Sequence, residues 1–208
     1  MKGVTREGIA LRGELWYVLE DVIQKNSVDL IIVGSQGKHG LKKLVLGSDA
    51  EQIFRRARCP VLTIGPKVHA QEAIDGFHNI LFATDFSAGS LRAFQYALSL
   101  AEENQAHLTL LHVIPLVPLP HQGSVAARAR TQLEGLVPRD ASDWCKPECE
   151  VRFEFPAEAI LNLARERNAD LMVMGVHKRA PLASAHLPWA IAYEVVCDAP
   201  CPVLTVRD

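Results

Sequence analysis

Short unbroken apolar blocks alternate along the chain with longer stretches in which apolar residues recur every three or four positions. The blocks fall at 29–33, 60–64, 79–84, 108–114, 171–174 and 203–206, and are dominated by Ile, Val and Leu. Blocks of this kind predict strands covered on both faces, hence a parallel sheet between helical layers in an α/β fold. A further strand is predicted at 150–155, where Val151, Phe153 and Phe155 alternate. A helix is predicted at 14–24, with Trp16, Leu19 and Ile23 on one face. Others are predicted at 48–58, at 87–103 with Leu91, Phe94, Leu98 and Ala101 inward, and at 124–136. One more starts at Pro156, a residue suited to a first helical position, and the last starts near Pro188. Residues 3–13 read as a short extended piece, 115–123 as a proline-containing loop and 138–147 as irregular.

The segment after 29–33 carries the candidate chemistry. It reads GSQGKHGLKKLVLGS over 34–48, with Gly34, Gly37, Gly40 and Gly47 among Lys38, His39, Lys42 and Lys43. Ser48 with Glu51 fits a capping box, which makes Ser48 the predicted N-cap of the next helix. Glycines let backbone N–H groups approach an anion, and a helix N-terminus adds unpaired N–H groups and a positive dipole end. Strand, basic glycine loop and helix start together describe a phosphate cradle; a plain loop before a capped helix is the other reading. The loop is not a Walker A motif, because His39 follows Lys38, and it is not the dinucleotide GxGxxG pattern.

The sequence also repeats itself. Cys59-Pro60-Val61-Leu62-Thr63 recurs 142 residues later as Cys201-Pro202-Val203-Leu204-Thr205. Asp29-Leu30 with Gly34 recurs 141 residues later as Asp170-Leu171 with Gly175. A period this long points to a duplicated domain rather than a solenoid. The expected division is a partial copy at 1–65, a linker at 66–78 and a complete copy at 79–208, with the front half of the first copy absent.

Composition narrows the function classes. The formal net charge of −2 over 208 residues gives no argument for nucleic acid as a partner. No apolar run reaches the ~20 residues of a membrane span, and Met1 to Glu7 lack the apolar core of a signal peptide, so a cytoplasmic location and no membrane partner are expected. Five cysteines without a dense framework suit a reducing compartment. Cys145 and Cys149 have no second pair to complete a zinc ligand set, so no metal site is expected.

The spacing Gly34, two residues, Gly37, nine residues, Gly47-Ser48 resembles the nucleotide loop of the universal stress protein family, and its flanks agree. The resemblance implies a Rossmann-like, adenine-nucleotide α-hydrolase-like parallel sheet of order 3-2-1-4-5. It implies a stress-response regulator or binding module with ATP or AMP as ligand, and magnesium only as the nucleotide's counter-ion. Carried over by residue, Asp85 and Val113 match the adenine side, while Gly34, Gly37, Gly47, Ser48 and, within the loop, Lys38 match the phosphate side. These two halves belong to different copies. The second copy has Lys178, Pro188 and Trp189 where the first has Gly37, Gly47 and Ser48, and proline offers no N–H. Asp85 also fits an ordinary helix-capping role in Asp-Phe-Ser.

Three expectations follow. The strands at 60–64 and 202–206 are expected to pair within the chain, making an internal pseudo-dimer. The strand at 29–33 is expected to be an open edge that either self-associates into a homodimer or is covered by the N-terminal segment. ATP binding is expected to be weak or absent. No catalytic set stands out, so an enzyme is not expected, though slow ATP hydrolysis stays open. The alternatives are a non-binding interaction protein of the same fold and an ATP-cleaving or adenylating enzyme of a related fold.

Overall fold

A computed structural model describes residues 5–34, 46–68, 76–116, 122–176 and 188–207. Within them, helix α1 (Leu15–Asn26), strand β1 (Ile31–Gly34), α2 (Ser48–Arg56) and β2 (Val61–Ile64) come first. Then follow β3 (Asn79–Thr84), α3 (Ala88–Asn104), β4 (His107–Ile114), α4 (Gln122–Leu136), β5 (Lys146–Phe153), α5 (Pro156–Glu166), β6 (Leu171–Val176), α6 (Pro188–Asp198) and β7 (Val203–Arg207). The strands form one seven-stranded sheet in the order β1-β2-β7-β6-β3-β4-β5. Counted from β3, the last five strands have the order 3-2-1-4-5 and all run parallel.

The seam lies between β2 and β7, which pair antiparallel as Val61↔Thr205, Leu62↔Leu204 and Thr63↔Val203. This is the pairing expected from the repeat and the family resemblance together, and it puts Leu62 opposite its own repeat, Leu204. β1 is parallel to β2, so β1 and β2 point opposite to the other five strands. Two further contacts tie the seam: Arg207 Nη2 donates to the Phe54 carbonyl at 2.8 Å, and Lys67 pairs with Asp198.

The core lies on both faces of the sheet. One cluster holds Leu81, Leu111, Met172 and Met174 beneath α5 and α6, and takes in Ala50 and Phe54 from α2 and Leu46 two residues ahead of it. The other holds Phe82, Leu110, Leu171 and Val173 beneath α3 and α4. Trp16, Ile31, Ile53 and Val61 make a smaller cluster under α1 and α2, with Leu19 and Ile23 beside it as their spacing predicts. Burial, with Asp170 nearby, pushes the Cys201 thiol up to about 12.

Several sequence expectations need correction. Gly47, not Ser48, is the N-cap of α2: no side chain caps it, and Glu51 N–H donates to the Gly47 carbonyl at 2.8 Å. Asp49 and Glu51 in the first turn face the positive dipole end instead. In α3 the buried face is Gly89, Ser90, Ala93, Phe94, Ala97 and Ala101, whereas Leu91 is exposed. Close packing on β6 selects small residues there. β5 starts at Lys146, inside a stretch read as irregular, and ends at Phe153. It is an edge strand, where Pro147 and polar residues are tolerated. Phe155 is the exposed N-cap of α5 rather than a strand residue.

Candidate functional site

At the carboxyl ends of β3, β4 and β6 lies a cavity of about 380 Å³. It is lined by Thr84, Asp85, Val113, Ile160, Met174 and Ile191, among others. This is where an open α/β sheet presents ligands, because α3, which follows β3, and α6, which follows the neighbouring β6, lie on opposite faces and leave a crevice between them. The size falls within the range of small-molecule sites, and the lining is mostly aliphatic. A smaller cavity of about 270 Å³ sits at the opposite ends of the strands. Its charged side chains are largely engaged with one another or with neighbours: Arg167 bridges Glu148 and Glu150, and Glu166 pairs with Arg152. That pairing holds the Glu166 carboxyl below its usual value.

The polar rim of the larger cavity is built by the turn from β3 into α3. Phe86 takes φ 61°, in the left-handed region, and turns the chain sharply. Its N–H donates to Thr84 Oγ1 at 2.9 Å, and Thr84 Oγ1 lies 2.9 Å from Ser90 Oγ. Ser87 caps α3 by accepting from Ser90 N–H at 3.2 Å. Asp85 is exposed and accepts from Ser87 N–H at 3.0 Å. His112 Nδ1 lies 2.9 Å from the Thr84 carbonyl, and its ring sits 4.5 Å from that of Phe86. A carbonyl can only accept, so His112 Nδ1 carries a proton and donates a hydrogen bond to Thr84.

Gly175 makes this arrangement possible. A Cβ there would lie 2.3 Å from Ser90 N and 2.5 Å from Ser90 Cα. Its absence lets the first turn of α3 sit directly on β6, against the crevice.

The sequence-predicted residues divide into two groups. Asp85 and Val113 meet at the cavity. Gly34 ends β1, and Gly47 and Ser48 open α2, on the far side of the seam. Because β1 points opposite to β3, Gly34 and Asp85 lie at opposite ends of the sheet. Four strand spacings also separate β1 from β3, about 19 Å at ~4.8 Å each. Gly37 and Lys38 lie outside the described residues. Sequence reasoning missed Thr84, His112 and the left-handed Phe86. The one available signal was His112 standing beside Val113 at the end of a predicted strand.

The family model for the universal stress protein family matches residues 1–65 and 76–207. The chain belongs to the universal stress protein family. A universal stress protein of Methanocaldococcus jannaschii is 31% identical over 141 residues, covering 63% of this chain and 82% of that one. One from Mycobacterium tuberculosis is 28% identical over 195 residues, and the match spans 88% of this chain but 63% of the mycobacterial protein. The crystal structure of a universal stress protein from Archaeoglobus fulgidus superposes with a TM-score of 0.70 at 24% identity, covering 91% of this chain and 66% of that one. That likeness shows the fold. Among the described residues no helix is long and apolar enough to cross a membrane.

Proposed function

We propose that this universal stress protein is an adenine-nucleotide-binding module in stress response, built as a partial copy (1–65), a linker (66–78) and a complete copy (79–208). The supporting observation is the aliphatic cavity at the ends of β3 and β4, with Asp85 on its rim and Val113 in its wall. A purine slots between Val113, Ile160 and Met174, and the polar rim of Thr84, Asp85 and His112 faces its edge.

The fit holds for a base and not for a triphosphate. The phosphate-loop residues Gly34, Gly47 and Ser48 are on the other side of the seam, and the second copy carries Pro188-Trp189 at the matching place. Each backbone N–H to a charged phosphate is worth ~1.5–3 kcal/mol. Losing two of them costs roughly 3–6 kcal/mol, or about 10²- to 10⁴-fold in affinity. ATP or AMP therefore binds through base and ribose, weakly.

Calorimetric titration with adenosine, AMP and ATP tests this reading. The three ligands are expected to agree within about tenfold. Asp85→Ala should weaken all three, and Val113→Trp, which fills the cavity, should abolish binding. ATP bound a hundredfold tighter than adenosine and indifferent to Asp85→Ala would overturn it. Absence of binding by all three at millimolar concentration favours a second reading, a non-binding interaction protein. The Ser87 N–H on Asp85 Oδ1 supports that reading, because it gives Asp85 a capping role.

A further inference from the structure

Three side chains at the rim of the larger cavity hold one another in a closed ring. Thr84 Oγ1 accepts from the Phe86 N–H at 2.9 Å, and the Phe86 ring sits 4.5 Å from that of His112. His112 Nδ1 donates to the Thr84 carbonyl at 2.9 Å. The left-handed turn at Phe86 and the strand pairing Thr84↔His112 close the circuit. His112 is half-buried, and its Nε2 has no hydrogen-bond partner among the described residues.

This network decides which polar groups are left to read a ligand. The Ser90 hydroxyl donates to the Ser87 carbonyl at 3.0 Å. Thr84 must then donate to Ser90 Oγ, 2.9 Å away, so neither of these buried hydroxyls has a proton to offer the cavity. Asp85 and His112 are the ionisable groups in the described lining. The other elements around His112 add no charge there. Val151 stands opposite it on β5, and the lining takes Ser90 from α3, Val125 from α4, Ile160 from α5, Met174 from β6 and Ile191 from α6.

We infer that His112 is the specificity-determining residue of this cavity and reads the 6-amino group of a purine through Nε2. The inference rests on the base-binding reading proposed above and names the group that selects the base. With Nδ1 committed to Thr84, a neutral ring presents Nε2 as an acceptor, and the Asp85 carboxylate in the same lining is an acceptor too. Acceptors select a ligand edge that donates, which an amino group supplies and a bare ring carbon does not. When the ring gains its second proton, Nε2 becomes a donor and meets the amino group donor to donor. Imidazoles change charge between about pH 5 and 8, a range in which carboxylates stay ionised. Selection for the amino group is therefore full at pH 8 and is lost as the pH falls.

Calorimetric titrations with adenosine and with purine riboside, which lacks the 6-amino group, test this at pH 8 and pH 5.5. Both ligands are uncharged, so the comparison isolates the amino group. Adenosine is expected to bind about five- to tenfold tighter at pH 8, the worth of one hydrogen bond, and within about twofold at pH 5.5. In His112→Asn the side-chain amide keeps a donor toward the Thr84 carbonyl and puts nothing at the place of Nε2. Its ratio should be small and the same at both pH values. Nitrogen-15 NMR of the ligand-free chain, labelled at histidine, should show His112 protonated at Nδ1 at pH 8. A preference unchanged between the two pH values, or kept by His112→Asn, would overturn the inference and leave the base-binding reading standing. So would binding of both nucleosides without preference at pH 8, or a neutral His112 protonated at Nε2. Binding of neither nucleoside at millimolar concentration would overturn the base-binding reading, and the inference with it.

Discussion

β6 and β1 are near-copies of one another in sequence and very different in setting. Both are short apolar runs with a glycine at the matching place, and each donates the same inner hydrogen bond to the proline carbonyl of a Cys-Pro pair. One is covered on both edges and both faces; among the described residues the other is bare on one edge and half-bare on one face. The difference teaches that an apolar block encodes the ability to be buried, and the neighbours decide whether it is. Residues 5–12, which stand one repeat period before β5 and form no strand, make the same point about the backbone. An extended segment becomes a strand only when a ladder is available to it.

Substitutions can sharpen this contrast. Leu171→Ala empties a site in the packed core and should cost about 2–5 kcal/mol, whereas Leu30→Ala, half exposed already, should cost well under 1 kcal/mol. Urea denaturation of the two variants reads the difference directly. If they cost the same, Leu30 is covered in solution and the contrast fails. Gly175→Ala forces a methyl against the backbone of α3 and should cost about 1–3 kcal/mol, while displacing Ser90 and Thr84 from the cavity rim. Gly34→Ala is expected to be neutral or slightly stabilising, since Gly34 sits in open space outside the left-handed region. Equal thermal shifts for the two alanines would contradict the open space at Gly34.

The seam offers a smaller contrast of the same kind. Thr63 and Thr205 are repeat equivalents, each opposite a valine. Thr205 Oγ1 donates to the Val61 carbonyl at 3.2 Å, while Thr63 Oγ1 is buried with no hydrogen-bond partner among the described residues. Thr205→Val should therefore cost about 1 kcal/mol, and Thr63→Val should be neutral or stabilising, because it removes an unpaired buried hydroxyl. A double-mutant cycle at the seam checks both; a cost for Thr63→Val equal to that of Thr205→Val would show that the two hydroxyls are bonded alike.

Much of the fold was legible because its signals are local. Unbroken aliphatic runs marked six of the seven strands, and the Cys-Pro-Val-Leu-Thr repeat, with the strand order that the family resemblance implies, pointed to the seam. The helix at Trp16, Leu19 and Ile23 followed from spacing alone. The misread elements are those fixed by distant neighbours. The inner face of α3 is set by how closely Gly175 lets it approach, so alanines and a serine face inward and Leu91 does not. β5 reads as irregular at its start because an edge strand tolerates Pro147 and polar side chains. The candidate site was legible only in part. Asp85 and Val113 carry the family's pattern, but the placing of His112 depends on the left-handed turn at Phe86, for which Asp-Phe-Ser gives no local signal.

The central claim is that two matching strands differ because one of them has an open side. Hydrogen–deuterium exchange of the free chain, followed on peptides covering 28–34 and 170–176, measures this most directly. In a strand with partners on both sides every amide is paired, and exchange requires opening of the fold; in an edge strand alternate amides point outward. The account predicts that 170–176 is among the most protected segments, while the amides of Ile32 and Gly34 exchange within the first time points. Equal protection of the two segments would contradict it.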